Sequence, residues 1–433
     1  MTSIGKLALA AVLAAGTAGV ALTAPAAAQK KKEAPAKSGL KLSPAMLKVA
    51  KPAQDAVQAN NPAVAEPLVA GVEAVATTPD DKYIATLLRL ALEEQKYNAQ
   101  IAAGAKAVDD GPLVRPLDAL IANPSTPPAD LGRYLARRGQ MAMRGKQYAI
   151  ALDHFARARA AGFADEGLGL EIVRAKIESG DVAGGTAELE RTIAAMNAKG
   201  QKAPIEYYRY AIGRANKSRL SAQTVAWMNK YAAAYPTGQT WYEILATYGL
   251  QQESTAKLDN QQKIDLFRLM RASGGLADQY FYIEYAQKAQ NAGLPLEAQA
   301  VLKEGLANGK IPAGNSEVRA MQTELTRAVA AEGSLTSLEA KANAAANGQL
   351  AGQTADAHLS SGNYAKAAAL YRTALSKGSV DADTINTRLG IALARSNDRA
   401  GAQAAFANVK GGPRADIAGL WNTWLGTQGA PAA

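Results

Sequence analysis

Two groups of residues return at a fixed interval, and that recurrence restricts the fold more than anything else in the chain. Gly139, Tyr148, Ala151, Phe155 and Ala158 are followed 34 residues later by Val173, Val182, Gly185, Leu189 and Thr192. Near the C-terminus, Ala355, Gly362, Tyr364, Ala367, Tyr371 and Ala374 return 35 residues later as Gly390, Asn397, Arg399, Ala402, Phe406 and Val409. A period of this length is one supersecondary unit. Ala367, Tyr371 and Ala374 stand at i, i+4 and i+7, on one face of a helix. The alanines let two helices approach closely, and the aromatic ring fills the gap toward the next unit. Gly362 and Asn397 fall in the turn between helices, where left-handed backbone costs these residues little. No such unit buries its apolar face alone, so units must stack.

These spacings resemble the tetratricopeptide repeat, a helix–turn–helix unit. Gly362-Asn363-Tyr364-Ala365-Lys366-Ala367, then Tyr371 and Ala374-Leu375, is nearest to that family's pattern. Tyr282, Tyr285 and Ala286, then Gly293, Ala298, Leu302 and Gly305-Leu306, follow the same frame. Trp241, Ile244, Leu245 and Tyr248 resemble its first-helix signature, with Leu245 in place of the usual small residue. The resemblance implies an all-α fold, a right-handed superhelical solenoid of antiparallel helix pairs with some degenerate units. Six units are expected, at about 129–162, 163–196, 238–274, 279–312, 348–380 and 383–413.

Composition agrees, since alanine, the strongest helix former, dominates and only 6% of residues are aromatic. Helix breaks are expected at Asn60-Asn61-Pro62, Thr77-Thr78-Pro79, Asp109-Asp110-Gly111-Pro112 and Asn123-Pro124-Ser125, which join capping residues to Pro or Gly. The expected organisation begins with a leader at 1–28, a basic disordered linker at 29–43 and a divergent helical region at 44–128. A tetratricopeptide-like pair at 129–199 and a divergent region of the same type at 200–347 follow. A second pair occupies 348–413, a capping helix 414–425 and a frayed tail 426–433. Ile417, Leu420, Trp421, Trp424 and Leu425 form the apolar stripe of the capping helix.

The N-terminus reads as an address. Lys6 precedes an apolar run from Leu7 to Leu22, and Ala26-Ala27-Ala28 gives a small-residue cleavage pattern. A periplasmic or secreted location after cleavage near Ala28 is expected, with no integral membrane segment in the mature chain. The chain has no cysteine, which excludes disulfides, thiolate nucleophiles and a lipid-accepting cysteine. Residues 29–52 carry net +6 of the formal +10, so the basic pI mainly reports that segment. Lys30, Lys31 and Lys32 are candidates for contact with an anionic surface. Nucleic acid is not an expected partner of an exported chain.

Motifs for catalysis are sparse. His154 and His358 are the two histidines and lie in different repeats, too few for a zinc site or a Ser–His triad. Gly139 and Gly145-Lys146-Gln147 miss the spacing and the hydroxyl of a phosphate loop. Asp381-Ala382-Asp383 lacks the glycine and closing glutamate of a calcium loop and reads as a helix cap. No metal, cofactor or enzymatic activity is expected. The expectation is a non-catalytic scaffold or adaptor for cell-envelope proteins. A cell-wall or polysaccharide factor of all-α fold is the alternative.

In tetratricopeptide proteins the first helices of successive units line a concave groove. Carrying the matching positions over gives a peptide groove of Arg133, Gln140, Met143, Arg144, Arg174, Glu178, Tyr280, Gln287, Gln290, Asn291, Thr384, Thr387 and Arg395. Arginines fork onto carboxylates, and amides bond peptide backbone. The cluster Arg133, Arg144 and Arg174 points to a polar, somewhat acidic segment as the occupant.

Overall fold

The computed structural model describes residues 39–106, 108–163, 165–331 and 334–428. The leader, the expected cleavage site near Ala28, and Lys30, Lys31 and Lys32 lie outside the described residues, as does the end of the expected tail. The regular elements among the described residues are 21 α-helices and one π-helical turn, without a strand. The chain is therefore all-α, built of helix pairs. It divides between Ala195 and Met196 into two compact units.

Unit 1 holds α1 (Pro44–Gln58), α2 (Pro62–Val75), α3 (Pro79–Ala102), α4 (Gly111–Ala122), α5 (Pro128–Arg144), α6 (Tyr148–Ala160), α7 (Glu166–Glu178) and most of α8 (Val182–Ala198). The polar-plus-proline clusters are the helix boundaries. Ser43 accepts the Met46 N–H and Asn61 the Val64 N–H, each with proline at the first helical position. Thr78 and Asp81 cap α3 reciprocally. Asp81 is fully buried and also accepts the Ser43 N–H at 2.9 Å. Burial pushes its carboxyl up, but bonds from Ser43 and Thr78 outweigh that and hold it below the usual range.

Unit 2 begins with α9 (Ile205–Lys217), α10 (Ser221–Ala234) and α11 (Gly238–Leu245), which runs into a π-helical turn at Ala246–Leu250. Then come α12 (Asn260–Ala272), α13 (Gln279–Asn291), α14 (Pro295–Ala307), α15 (Ser316–Ala331), α16 (Leu335–Ala344), α17 (Gln349–Ser360) and α18 (Tyr364–Lys377). The last three are α19 (Ala382–Arg395), α20 (Arg399–Ala407) and α21 (Gly412–Thr427).

Seven hairpins share one packing frame. A residue in the first helix packs at the crossing, the residue seven later turns the chain with positive φ, and a large apolar one sixteen later fills the interface. The turn residues are Asn60, Lys146, Gly180, Arg219, Gly293, Gly362 and Asn397, with φ from 53° to 98°. The fillers Val69, Phe155, Leu189, Met228, Leu302, Tyr371 and Phe406 are all at most 2% exposed. At two of the crossings glycine meets phenylalanine. A Cβ on Gly139 would stand 2.4 Å from Phe155 Cε1, and one on Gly390 2.4 Å from Phe406 Cε1. Two of the seven hairpins, Ala53 to Val69 and Ile212 to Met228, fall in stretches of weak register in the sequence.

The segment 238–274 departs from the frame. The π turn takes the place of a hairpin bend, and the Tyr248 hydroxyl bonds the Pro413 carbonyl at 3.1 Å and Asp416 at 3.0 Å. Both partners belong to α21. That final helix buries Ile417, Leu420, Trp421, Trp424 and Leu425, as its stripe requires. It does more than cover the last pair, however, because it also returns to pack on α10 and α12. The Thr423 hydroxyl meets Asn229 of α10 at 2.6 Å, and the Trp421 indole N–H points at the Asp265 carbonyl of α12 at 3.4 Å.

Candidate functional site

Gln140, Arg174 and Gln287 lie one residue beyond the crossing position of the frame, and Arg144, Glu178, Asn291 and Arg395 lie five beyond it. Both positions face away from the hairpin's own interface, and these side chains are exposed or, for Gln287, half-buried. Most already have partners. Arg133 pairs with Asp130, Arg144 reaches Asp110 at 2.7 Å, and Arg174 stands 3.9 Å from Glu171. Each of the three unit 1 arginines thus carries its own carboxylate, so together they are not a row of unpaired cations. Met143 packs partly against the core around Phe155.

In unit 2, Gln287 donates to Glu317 at 3.0 Å and Gln290 to Glu324 at 3.2 Å, both on α15, so α15 lies across that stripe. Asn291 is exposed, and Tyr280 is 66% exposed beside the Phe281 ring. The Thr384 hydroxyl donates to Asp381 at 2.6 Å. Thr387 is a correction: it is fully buried, and its hydroxyl donates to the Asp383 carbonyl at 2.7 Å. The reason is that α19 is enclosed by α18, α20 and α21, which buries every residue from Ile385 to Ala394. A solenoid's first helix would keep one open face; here the returning α21 covers it.

The polar groups that sequence reasoning missed lie deeper. Residues 264–270 are seven consecutive buried residues, five of them apolar, with Asp265 and Arg268 among them. Asp265 is fully buried and accepts from Arg268 at 2.8 Å, Arg414 at 2.8 Å and Arg388 at 3.4 Å. Arg268 also forks onto Glu297, at 2.8 and 2.6 Å, and the Tyr285 hydroxyl donates to Glu297 at 2.5 Å. Arg388 continues to Asp356 at 2.7 Å and to Gln261, while the Tyr371 hydroxyl donates to Asp356 at 2.6 Å. Three arginines thus meet three carboxylates in a water-poor interior. Burial alone would raise the Asp265 and Glu297 carboxyls, but the arginines outweigh it and hold both below the usual range. The network ties α12, α13, α14, α17, α18, α19 and α21 into one block.

Beside it lies a cavity of about 220 Å³, walled by α12, α13, α14, α17, α18, α19 and α21. Its polar lining includes Arg268, Arg271, Arg395, Tyr364 and Ser361. Arg395, one of the residues expected on the groove, does face this space. Its Nη2 donates to the Tyr364 hydroxyl at 3.3 Å and its guanidinium lies 5.4 Å from that ring's centre. Arg271 gives its Nε to Glu304 at 2.7 Å. In the sequence, the sign of this site was a pair of charges, Asp265 and Arg268, embedded in an apolar run. Unit 1 has a wider depression of about 730 Å³ at Glu73, Arg89, Glu93, Asp109 and Arg115, where Arg89 is held by Glu66, Glu73 and Glu93.

The histidines do not join either cavity. His358 is buried with Nε2 2.8 Å from Glu339, and His154 is half-buried, its imidazole pushed down by burial and by Arg138 and Arg157. Among the described residues no three His, Cys, Asp or Glu side chains are placed to hold a metal ion, and no helix is long and apolar enough to cross a membrane.

No family model matches the chain, and no curated protein matches it. Among solved structures, the chain is similar to a pentatricopeptide repeat protein from maize, at 16% identity and a TM-score of 0.26. That alignment covers 87% of this chain, and this chain spans 61% of the maize protein's length.

Proposed function

We propose that this chain is an exported, non-catalytic binding scaffold that holds a segment of a partner protein of the cell envelope. The observation that carries the reading is the arginine- and tyrosine-lined cavity of unit 2, set against a fully paired buried charge network. Walls braced in this way do not collapse when empty, so the site is pre-organised and loses little entropy on binding. The hydrophobic leader pattern at residues 1–28 supports export to the periplasm or beyond. Tetratricopeptide-like repetition supports a scaffold, because stacked hairpins offer surface rather than a converging set of reactive groups. Nucleic acid has no part in this reading.

The test is photocrosslinking in the native envelope with a photoreactive residue in place of Ser361, followed by mass spectrometry, beside sedimentation with purified peptidoglycan. Discrete protein adducts, without pelleting, are the expected result. Pelleting with glycan in the absence of protein adducts would replace the reading with the wall-polymer alternative.

A further inference from the structure

We infer that the unit 2 cavity is a carboxylate-binding subsite, anchored by Arg395 with Arg271 as second donor. The inference deepens the proposed scaffold function and rests on it, since it names the chemistry that the partner must present.

The charge balance of the lining is the first ground. Three arginines face the cavity against one carboxylate, Glu297. Glu297 is consumed by the fork from Arg268 and by the Tyr285 hydroxyl. Arg268 is consumed in return, giving Nε and Nη2 to Glu297 and Nη1 to Asp265. The other two differ. Arg271 lines the cavity and gives its Nε to Glu304, and no bond from either Nη is described. Arg395 meets no carboxylate among the described residues, and its polar contact is the neutral Tyr364 hydroxyl. The cavity thus carries the positive charge of Arg395, which no described carboxylate neutralises. Arg268 and Arg271, the other arginines lining it, have each been given an acid.

Geometry is the second ground. Tyr364 contacts the Arg395 guanidinium by ring and hydroxyl together, which restrains its donor fork. A planar fork matches a carboxylate bidentately, and the restraint lowers the side-chain entropy lost on binding. Leu359, Ile391 and Ala300 supply an apolar wall beside it. A volume of about 220 Å³ has room for one residue of a partner chain. An acidic side chain and a chain-terminal carboxylate present the same group, and both fit.

Three fluorescent pentapeptides separate the possibilities by anisotropy with the full mature chain. One carries a central aspartate and an amidated end, one a central asparagine and a free carboxyl end, and one has asparagine and an amidated end. The inference expects at least one carboxylate peptide to bind about tenfold or more tightly than the uncharged one. Whichever it is identifies the source of the carboxylate. Arg395→Ala should abolish that preference, and Arg395→Lys should restore part of it. Arg395 is exposed at the end of α19, so both variants should keep the tryptophan-monitored unfolding midpoint of the parent. Equal binding of all three peptides, binding of none, or a preference that survives Arg395→Ala in a chain of unchanged midpoint overturns the inference. Partner adducts that persist with Arg395→Ala leave the scaffold standing without this subsite, whereas a parent chain that yields no protein adducts ends the scaffold reading itself.

Discussion

Replacing Asp265 with Asn tests the buried network at its centre. The side chain keeps its shape and one acceptor oxygen but loses the charge that faces Arg268, Arg388 and Arg414. The three arginines do not lose equally. Arg268 keeps Glu297, and Arg388 keeps Asp356 and Gln261. Arg414 is 6% exposed, and Asp265 is its one described hydrogen-bond acceptor, so its buried charge keeps only the more distant pull of Asp381. Breaking a buried pair in this way costs about 3–5 kcal/mol, and the oxygen retained by Asn favours the lower end. At a urea slope of about 2–3 kcal/mol/M, the midpoint should fall by about 1 M. The four tryptophans, Trp227, Trp241, Trp421 and Trp424, all belong to unit 2, so intrinsic fluorescence follows that unit alone. A midpoint that moves by less than about 0.3 M at unchanged slope would show that Arg414 is solvated, and the reasoning would fail.

Other outcomes follow from the same geometry. Gly390→Ala should destabilise unit 2 by about 1–2 kcal/mol, since overpacking against Phe406 exceeds the gain in helix propensity of about 1 kcal/mol. Phe406 is backed by Trp421, their ring centres 6.2 Å apart, so a fluorescence melt that showed stabilisation would contradict the close crossing. Tyr371→Phe removes the hydroxyl from Asp356 and should cost about 1–2 kcal/mol in the same melt. Asp265 and Glu297 have carboxyls lowered in the folded state, so the unfolded chain binds their protons first as pH falls. Their contribution is complete above the ordinary carboxylate range, near about pH 4, and is lost as pH drops through the lower folded values. Unfolding midpoints measured across this range should therefore be flat above about pH 5 and fall steeply below about 4.

Helical content and helix boundaries were legible because they rest on local chemistry. Asn61, Thr78 and the prolines after them act within a few residues of chain. The repeat was legible where it used distinctive residues, as in Gly139 with Phe155 or Gly390 with Phe406. It was hidden where the same frame used Ile212, Arg219 and Met228, because a large aliphatic pair and an arginine turn look like any amphipathic helix. Ala53, Asn60 and Val69 were hidden for the same reason. The groove was legible only in part. Arg395 faces a cavity, but Thr387 is buried and Gln287 and Gln290 are tied to α15. Those outcomes depend on where α15 and α21 fold back, over contacts as distant as that of Asp265 with Arg414, and no local pattern encodes them. An apolar stripe on α21 announced that it would be covered, without saying by which helices.

The return of α21 onto α10 encloses α19 and sets a wall of the cavity. The native chain has no cysteine, so Asn229→Cys with Thr423→Cys gives a protein whose only thiols report on that contact. Treated with a short bis-maleimide in native buffer, the double variant should crosslink internally and completely, by mass, and lose this in urea. Two thiols that each take up a separate reagent in the folded protein would mean that α21 does not fold back, and the cavity as described would not exist.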